Sequence, residues 1–204
     1  MKIFIRPILS SLTVLQLVAV GCSKRHEIAS ATQNKPEDAL VRDVRIDGFP
    51  TEPNPGLDRL ISEGPRVMPD LARLLQGTGS QDERIKAAEA MGAIAYRNPK
   101  APEVQAAVPA LMSVVLKGDI GLRTRAVQAL GAIGQGASNA TPVLIRLTQD
   151  TDSGVRMCAV ESLGRIGADS PESLAALKNA LSDSSDDVKI TAKQALEIVR
   201  RGHQ

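Results

Sequence analysis

The stretch VRMCAVESLGRIG, residues 155–167, holds side chains that an active site could use. It contains a thiol (Cys158), a carboxylate (Glu161), two guanidinium groups (Arg156 and Arg165) and a Gly-x-x-Gly pair. A thiol becomes nucleophilic when a neighbouring base or cation favours its thiolate, and closely spaced glycines can hold a phosphate. The stretch therefore poses a choice between chemistry and architecture.

The chain offers few partners for such chemistry. Its two histidines, His26 and His203, lie near its two ends, and the sequence places neither beside Cys158. No paired carboxylates, His/Cys cluster or metal-ligand spacing stands out. We therefore expect no catalytic residue, no metal site and no cofactor, and we interpret Cys158 as a partly exposed free cysteine.

The N-terminus has the pattern of an export signal. Lys2 and Arg6 precede a mostly apolar run, Ile8–Val20, which is shorter than the roughly 20 residues that a membrane-spanning helix needs. The run ends in Ala-Val-Gly-Cys, which resembles the lipobox of bacterial lipoproteins and implies a lipid anchor on Cys22. The alternative is an ordinary signal peptide with an incidental cysteine. We expect an exported, membrane-anchored lipoprotein, in the outer membrane or facing the periplasm rather than cytoplasmic.

Charge and aromatic content argue against a nucleic-acid partner. Lys2 and Arg6 account for the formal net charge of +2, so the chain from Cys22 onward is formally neutral. That part has no Trp, and Phe49 and Tyr96 are its aromatic residues. It therefore lacks both the basic excess and the stacking platforms of nucleic-acid-binding proteins.

Four segments share one pattern and begin at Glu83, Leu122, Val155 and Val188. Each has a basic residue, an Ala three places later, a Leu or Met four places beyond, and an Ile or Val three places further. Successive segments are 39, 33 and 33 residues apart. Apolar residues at intervals of three and four predict helices, and a period of this length indicates a repeat protein.

A second apolar segment precedes each of these four. Pro69, Pro109 and Pro142 begin three of the preceding segments and suit the first turn of a helix, whereas Ala175 takes that place in the fourth. Each unit is therefore predicted to consist of a helix A, a short turn and a helix B.

This pattern resembles HEAT repeats, in particular the bacterial PBS-lyase HEAT-like subtype, with its Asp, Val-Arg, Ala, Ala-Leu-Gly and Ile-Gly. The resemblance covers about residues 66–201. It implies an all-α fold, an α-solenoid of about four HEAT-like helix pairs preceded by a short capping segment. The predicted organisation is a removed signal peptide at 1–21, the lipidated Cys and a flexible tether at 22–35, the capping segment at 36–65 and the solenoid at 66–204.

The repeat gives the reactive-looking residues structural roles. Gly164 corresponds to Gly92 and Gly131, and close approach of the next helix explains a mid-helix glycine that otherwise costs about 1 kcal/mol. Gly134 and Gly167 are predicted helix C-caps. In such repeats the basic residue typically pairs with Asp at the turns between units. The predicted structural ladder consists of Arg84, Arg123, Arg156, Lys189, Asp119 and Asp152.

The remaining polar positions of helix B form a candidate binding stripe, because these helices usually line the concave side of such solenoids. It is a mixed polar surface without aromatic residues, consisting of Lys86, Glu89, Arg125, Gln128, Glu161 and Arg165. The stripe is either plain solvated surface or a shallow groove for an unidentified protein or peptide.

We expect a membrane-anchored HEAT-repeat lipoprotein that acts as a protein–protein interaction scaffold in the bacterial cell envelope, and not an enzyme. One alternative is a structural spacer or self-associating envelope element. A less favoured one is a bilin-lyase-like enzyme subunit, because the repeat subtype takes its name from bilin lyases. We expect no nucleic-acid partner and no small-molecule substrate.

Overall fold

The computed structural model describes residues 55–202. The predicted signal peptide at 1–21, the lipid-attachment residue Cys22, the tether at 22–35 and residues 36–54 of the predicted capping segment lie outside the described residues.

Ten α-helices and two short 3-10 helices make up this part of the chain, and no strand occurs among residues 55–202. In chain order they are α1 (Pro55–Glu63), a 3-10 helix (Gly64–Val67), α2 (Met68–Gln76), α3 (Gln81–Arg97), α4 (Pro102–Ala106), α5 (Val108–Lys117), α6 (Ile120–Ile133), a 3-10 helix (Gly134–Ala140), α7 (Thr141–Leu147), α8 (Ser153–Ile166), α9 (Pro171–Ala180) and α10 (Asp186–Arg201).

The helices pair as the repeat predicts. The A helices are α2, α5, α7 and α9, and the B helices are α3, α6, α8 and α10, so that unit 1 is α2 with α3 and unit 4 is α9 with α10. Each B helix contacts the B helix of the next unit. The short α4 lies between units 1 and 2 and accounts for the longer spacing there.

Side-chain caps set where three of the B helices begin. The Ser80 side chain accepts a hydrogen bond from the backbone N–H of Glu83, in a complete capping box. Asp119 and Asp152 cap α6 and α8 by accepting from the third residue of each helix. Such caps satisfy backbone donors that have no partner within the helix.

The A helix of unit 4 begins earlier than the sequence predicts. Pro171, not Ala175, occupies its first turn, because Ser170 caps the helix by accepting from the backbone N–H of Ser173. The other three A helices carry proline in their first turn, as predicted.

The core is aliphatic and alanine-rich. Met91, Leu130 and Leu163, which share one position of the B helices, are fully buried, whereas Leu196 in the last unit is only partly buried. None of the described helices combines the length and the hydropathy that a bilayer span requires.

The two terminal units differ in how their outer faces are covered. The helix α1 packs against α3, and its Leu60 is buried. On α10, Lys193 and Glu197 are exposed at the positions where α8 has Val160 and Gly164. This outer face therefore carries charges where inner units carry small or apolar residues.

Candidate interaction surface

The surface formed by the polar positions of the B helices, here called the B-helix face, contains a groove of about 290 Å³ across α3, α6 and α8. Repeat-equivalent residues lie side by side there because the B helices pack in sequence order. The groove is lined by Ala88, Glu89, Gly92, Ala93, Tyr96, Arg125, Gln128, Ala129, Ala132, Glu161, Ser162 and Arg165. Five of the six residues of the predicted stripe are thus brought together, and Lys86 lies outside the lining, one turn before Glu89.

The three mid-helix glycines of the B helices differ in how closely the next helix approaches them. A Cβ placed on Gly92 would lie 3.5 Å from the Ala129 Cα, whereas one on Gly164 would lie 2.8 Å from the Ala195 Cα. A Cβ on Gly131 would lie 2.6 Å from the Ser162 Oγ. The predicted reason for these glycines, close approach of the next helix, is therefore confirmed for Gly131 and Gly164, whereas the distance at Gly92 is that of an ordinary contact.

An aromatic residue lies in the groove, which corrects the expected absence of aromatic side chains from the stripe. The Tyr96 side chain is 69% exposed, and the Arg165 Cζ lies 5.8 Å from the centroid of its ring. This is the distance of a cation–π contact. The contact joins unit 1 to unit 3 across unit 2, whose Ala132 also lines the groove. Tyr96 was not predicted to join the stripe because it lies after the positions that recur in every helix B.

The charges of the groove are only partly paired. Arg165 forms an ion pair with Glu161 at 2.9 Å. Arg125 donates to the side-chain oxygen of Gln128 at 3.2 Å, and the Nε2 of Gln128 lies 3.5 Å from the Cys158 Sγ. Arg125 and Glu89 have no ion pair within the described residues.

A second groove, of about 690 Å³, continues the B-helix face toward the last unit. Glu161 and Arg165 line both grooves. The second one adds Met157 of α8 and, from α10, Ile198, which is 49% exposed. The B-helix face thus continues into a part where exposed apolar side chains lie beside the charged Glu197 and Arg201.

Cys158 is buried, which corrects its interpretation as partly exposed. Burial raises the pKa of its thiol, and the Glu161 carboxylate raises it further. The thiol is therefore held in its protonated, weakly nucleophilic form. Within residues 55–202, no cluster of three or more His, Cys, Asp or Glu residues has the geometry to hold a metal ion.

The predicted ladder connects neighbouring units, but through aspartates that the sequence analysis did not select. Arg123 of unit 2 donates to Asp150 in the turn of unit 3 at 2.7 Å. Arg156 of unit 3 donates from Nε and Nη2 to the two carboxylate oxygens of Asp183 in the turn of unit 4, at 2.9 and 2.8 Å.

Asp119 and Asp152, which were assigned to the ladder, instead cap their own B helices. The two ends of the ladder also differ from its middle. Arg84 donates to the Leu75 carbonyl of its own unit, and Lys189 pairs with Asp186 of its own helix.

The ladder aspartates are ionised well into the acid range. Arg156, followed by the backbone N–H of Ser185, lowers the Asp183 pKa to about 2 against the opposing effect of burial. For Asp150, burial raises the pKa, but the Asp152 backbone N–H and Arg123 together outweigh it and the pKa is lowered.

Comparison with known proteins supports the repeat assignment. Residues 108–197 match the family model for HEAT repeats. No curated protein matches the chain. One similar solved structure is an engineered protein, 21% identical, with a TM-score of 0.55; the match covers 81% of this chain and 80% of that one.

Another is the complex of CpcE and CpcF of phycocyanin lyase from Nostoc sp. PCC7120, 18% identical, with a TM-score of 0.60; the match covers 78% of this chain and 95% of that one. At these identities the likeness is one of fold. The matched repeats and the paired helices together show that the described part of this protein is an α-solenoid of HEAT-like repeats.

Proposed function

We propose that this protein is a membrane-anchored HEAT-repeat lipoprotein that acts as a protein–protein interaction scaffold in the bacterial cell envelope. The observation that carries the interaction part is the B-helix face, where two adjoining grooves combine exposed Tyr96 and Ile198 with arginine side chains. Aromatic and arginine side chains are enriched where proteins bind one another. The lipid anchor and the envelope location are proposed from the N-terminal signal pattern, which ends in the lipobox-like residues before Cys22.

Photocrosslinking in cells tests the interaction part. Photoreactive residues replace Arg125 or Glu161 on the B-helix face, and a control replaces Lys178, which is exposed on α9. We expect the two groove probes to capture one dominant envelope protein, identified by mass spectrometry, that the control does not capture. Equal and scattered labelling from all three positions would contradict a binding groove.

Membrane fractionation tests the anchor. We expect the wild-type protein in the membrane fraction and the Cys22→Ser variant in the soluble fraction, because serine cannot take the thioether-linked lipid. A Cys22→Ser variant that stays as firmly bound as the wild type would rule the anchor out.

The charged outer face of the last unit argues against the alternative of a structural spacer or self-associating element. Lys193 and Glu197 place charges on the outer face of α10, where close packing of another solenoid would have to desolvate them. Light scattering over a range of protein concentrations tests this point: a mass that stays constant supports the scaffold over self-association.

The lyase-like alternative rests on the shared fold with CpcE and CpcF alone. Mixing the protein with a linear tetrapyrrole and recording the absorbance spectrum tests it directly. We expect no spectral change.

A further inference from the structure

We infer that the N-terminal part of the B-helix face, defined by Lys86, Glu89, Tyr96, Arg125, Gln128 and Arg165, binds an extended peptide segment with two carboxylate side chains three residues apart. This rests on the proposed function and names the chemistry of the partner.

The charge balance of this part of the face favours a ligand with carboxylates. Arg165 and Glu161 neutralise each other in a direct ion pair. Arg125 reaches only the Gln128 amide oxygen, and Lys86 has no ion pair within residues 55–202. Against these two cations stands Glu89, so a cationic excess remains. Complementary charge is what sets partner choice at such surfaces.

The spacing of the two cations sets the spacing of the carboxylates. Lys86 and Arg125 occupy the same repeat position on α3 and α6. Packed helices lie about 8–10 Å apart, and the near contact of Gly92 with Ala129 favours the short end of this range for α3 and α6. A segment in the extended polyproline II conformation has three residues per turn and advances about 3.1 Å per residue. Every third residue of such a segment therefore points to the same side, about 9 Å further along, where it meets the next cation.

The shape of the groove favours an extended segment over a helix. Its volume of about 290 Å³ leaves little room, because an α-helix with its side chains is about 10–12 Å across. The floor consists of Gly92 and alanines such as Ala129 and Ala132, which let a peptide backbone approach closely. The exposed ring of Tyr96 supplies an apolar surface for a side chain of the segment.

Selection from a random library of 12-residue peptides displayed on phage tests the inference. The target is the full chain, purified in mild detergent. We expect the selected peptides to be enriched at least about threefold over the unselected library in Asp or Glu at positions i and i+3. Synthetic copies should lose at least about tenfold in affinity for the Lys86→Glu/Arg125→Glu variant.

The same selection on that double variant should enrich Lys or Arg at the same spacing instead. A matched control, Lys178→Glu/Lys193→Glu, makes the same charge change at exposed positions away from the groove and should select the same peptides as the wild type. Thermal unfolding monitored by circular dichroism verifies that each variant is folded.

The outcomes separate this inference from the proposed function. Peptides that lose binding on Tyr96→Ala but show no acidic spacing, or that bind the charge-reversed variant equally well, would overturn the inference and leave the groove as a binding site. A library that yields no binder, together with unspecific crosslinking from Arg125 and Glu161, would contradict both.

Discussion

The junction between units 1 and 2 and the junction between units 3 and 4 use the same repeat in different ways. Between units 3 and 4, Arg156 donates hydrogen bonds to both carboxylate oxygens of Asp183. At the same junction, Ala195 lies so close to Gly164 that a side chain at position 164 would clash with it. Between units 1 and 2, the repeat position that Asp183 occupies in unit 4 is occupied by Lys117. Arg84 therefore has no carboxylate at the position where Arg156 has one.

The junction between units 2 and 3 is intermediate. Arg123 reaches Asp150 through Nη1 alone, and its Nε is buried without a hydrogen-bond partner among the described residues. The arginine–aspartate pairing between units thus strengthens from the N-terminal to the C-terminal units. In such arrays each junction contributes separately to stability, so substitutions at equivalent positions should have unequal effects.

Removing the Asp183 carboxylate should have the largest effect. Asp183→Ala leaves the guanidinium of Arg156, whose side chain is only 13% exposed, without its carboxylate. We expect the free energy of unfolding to fall by about 3 kcal/mol, because a mostly buried charge loses its partner. Urea unfolding measures this. The matched control is Asp187→Ala at an exposed neighbouring position, which should change the free energy of unfolding by less than about 0.5 kcal/mol. If the two variants lose the same stability, the Arg156–Asp183 ion pair makes no special contribution.

Adding a methyl group at Gly164 should cost about 1–3 kcal/mol, because it forces α8 and α10 apart. At Gly92 the same change meets Ala129 at 3.5 Å, an ordinary contact. Gly92→Ala should therefore be neutral or stabilise the protein by up to about 1 kcal/mol through helix propensity. Urea unfolding of both variants compares the two junctions, and a cost at Gly92 as large as at Gly164 would contradict the difference between them.

Acid should weaken the junction between units 3 and 4. The pKa of Asp183 is about 2 in the folded protein and ordinarily 3.8, so the unfolded chain binds the proton more tightly. The contribution of Asp183 is thus fully present above its unfolded pKa and is lost as the pH falls from about 4 toward 2. Unfolding measured from pH 6 to pH 2.5 should show a steeper loss of stability in the wild type than in Asp183→Asn. Parallel curves would refute this assignment.

Giving unit 2 the missing aspartate should have the smallest effect. Lys117→Asp places a carboxylate where Arg84 can reach it, as Asp150 is reached by Arg123. We expect a gain of about 0.5 kcal/mol in the free energy of unfolding, since the site is more exposed. Lys117→Ser removes the cation without adding an acid and serves as the control; if both variants gain equally, the effect is loss of repulsion rather than a new pair.

The fold was predictable because the same residue pattern occurs four times in the sequence. The basic residue, the Ala and the Leu or Met recur in register, so one ambiguous segment is interpreted from the other three. Asp150 and Asp183 were missed although they also recur 33 residues apart. Each lies two residues before the N-cap of a B helix. The aspartates at the cap positions, Asp119 and Asp152, match the Asp of the repeat pattern and were therefore assigned to the ladder instead.

The candidate surface was less predictable, because it depends on contacts between units. The position of Tyr96 beside Arg165 requires two B helices that are separated by a third one. The burial of Cys158 likewise depends on its neighbours, among them Gln128 of the preceding B helix. No spacing within a single unit carries this information.

The exposed Lys193 and Glu197 also bear on how an array of this kind can become longer. A copy of unit 3 inserted between units 3 and 4 would find an apolar, glycine-containing face on one side and the small Ala195 on the other. The same copy joined behind α10 would meet two charged side chains instead. Duplication, in evolution or in protein engineering, is therefore expected to succeed in the interior of this solenoid and to fail at α10.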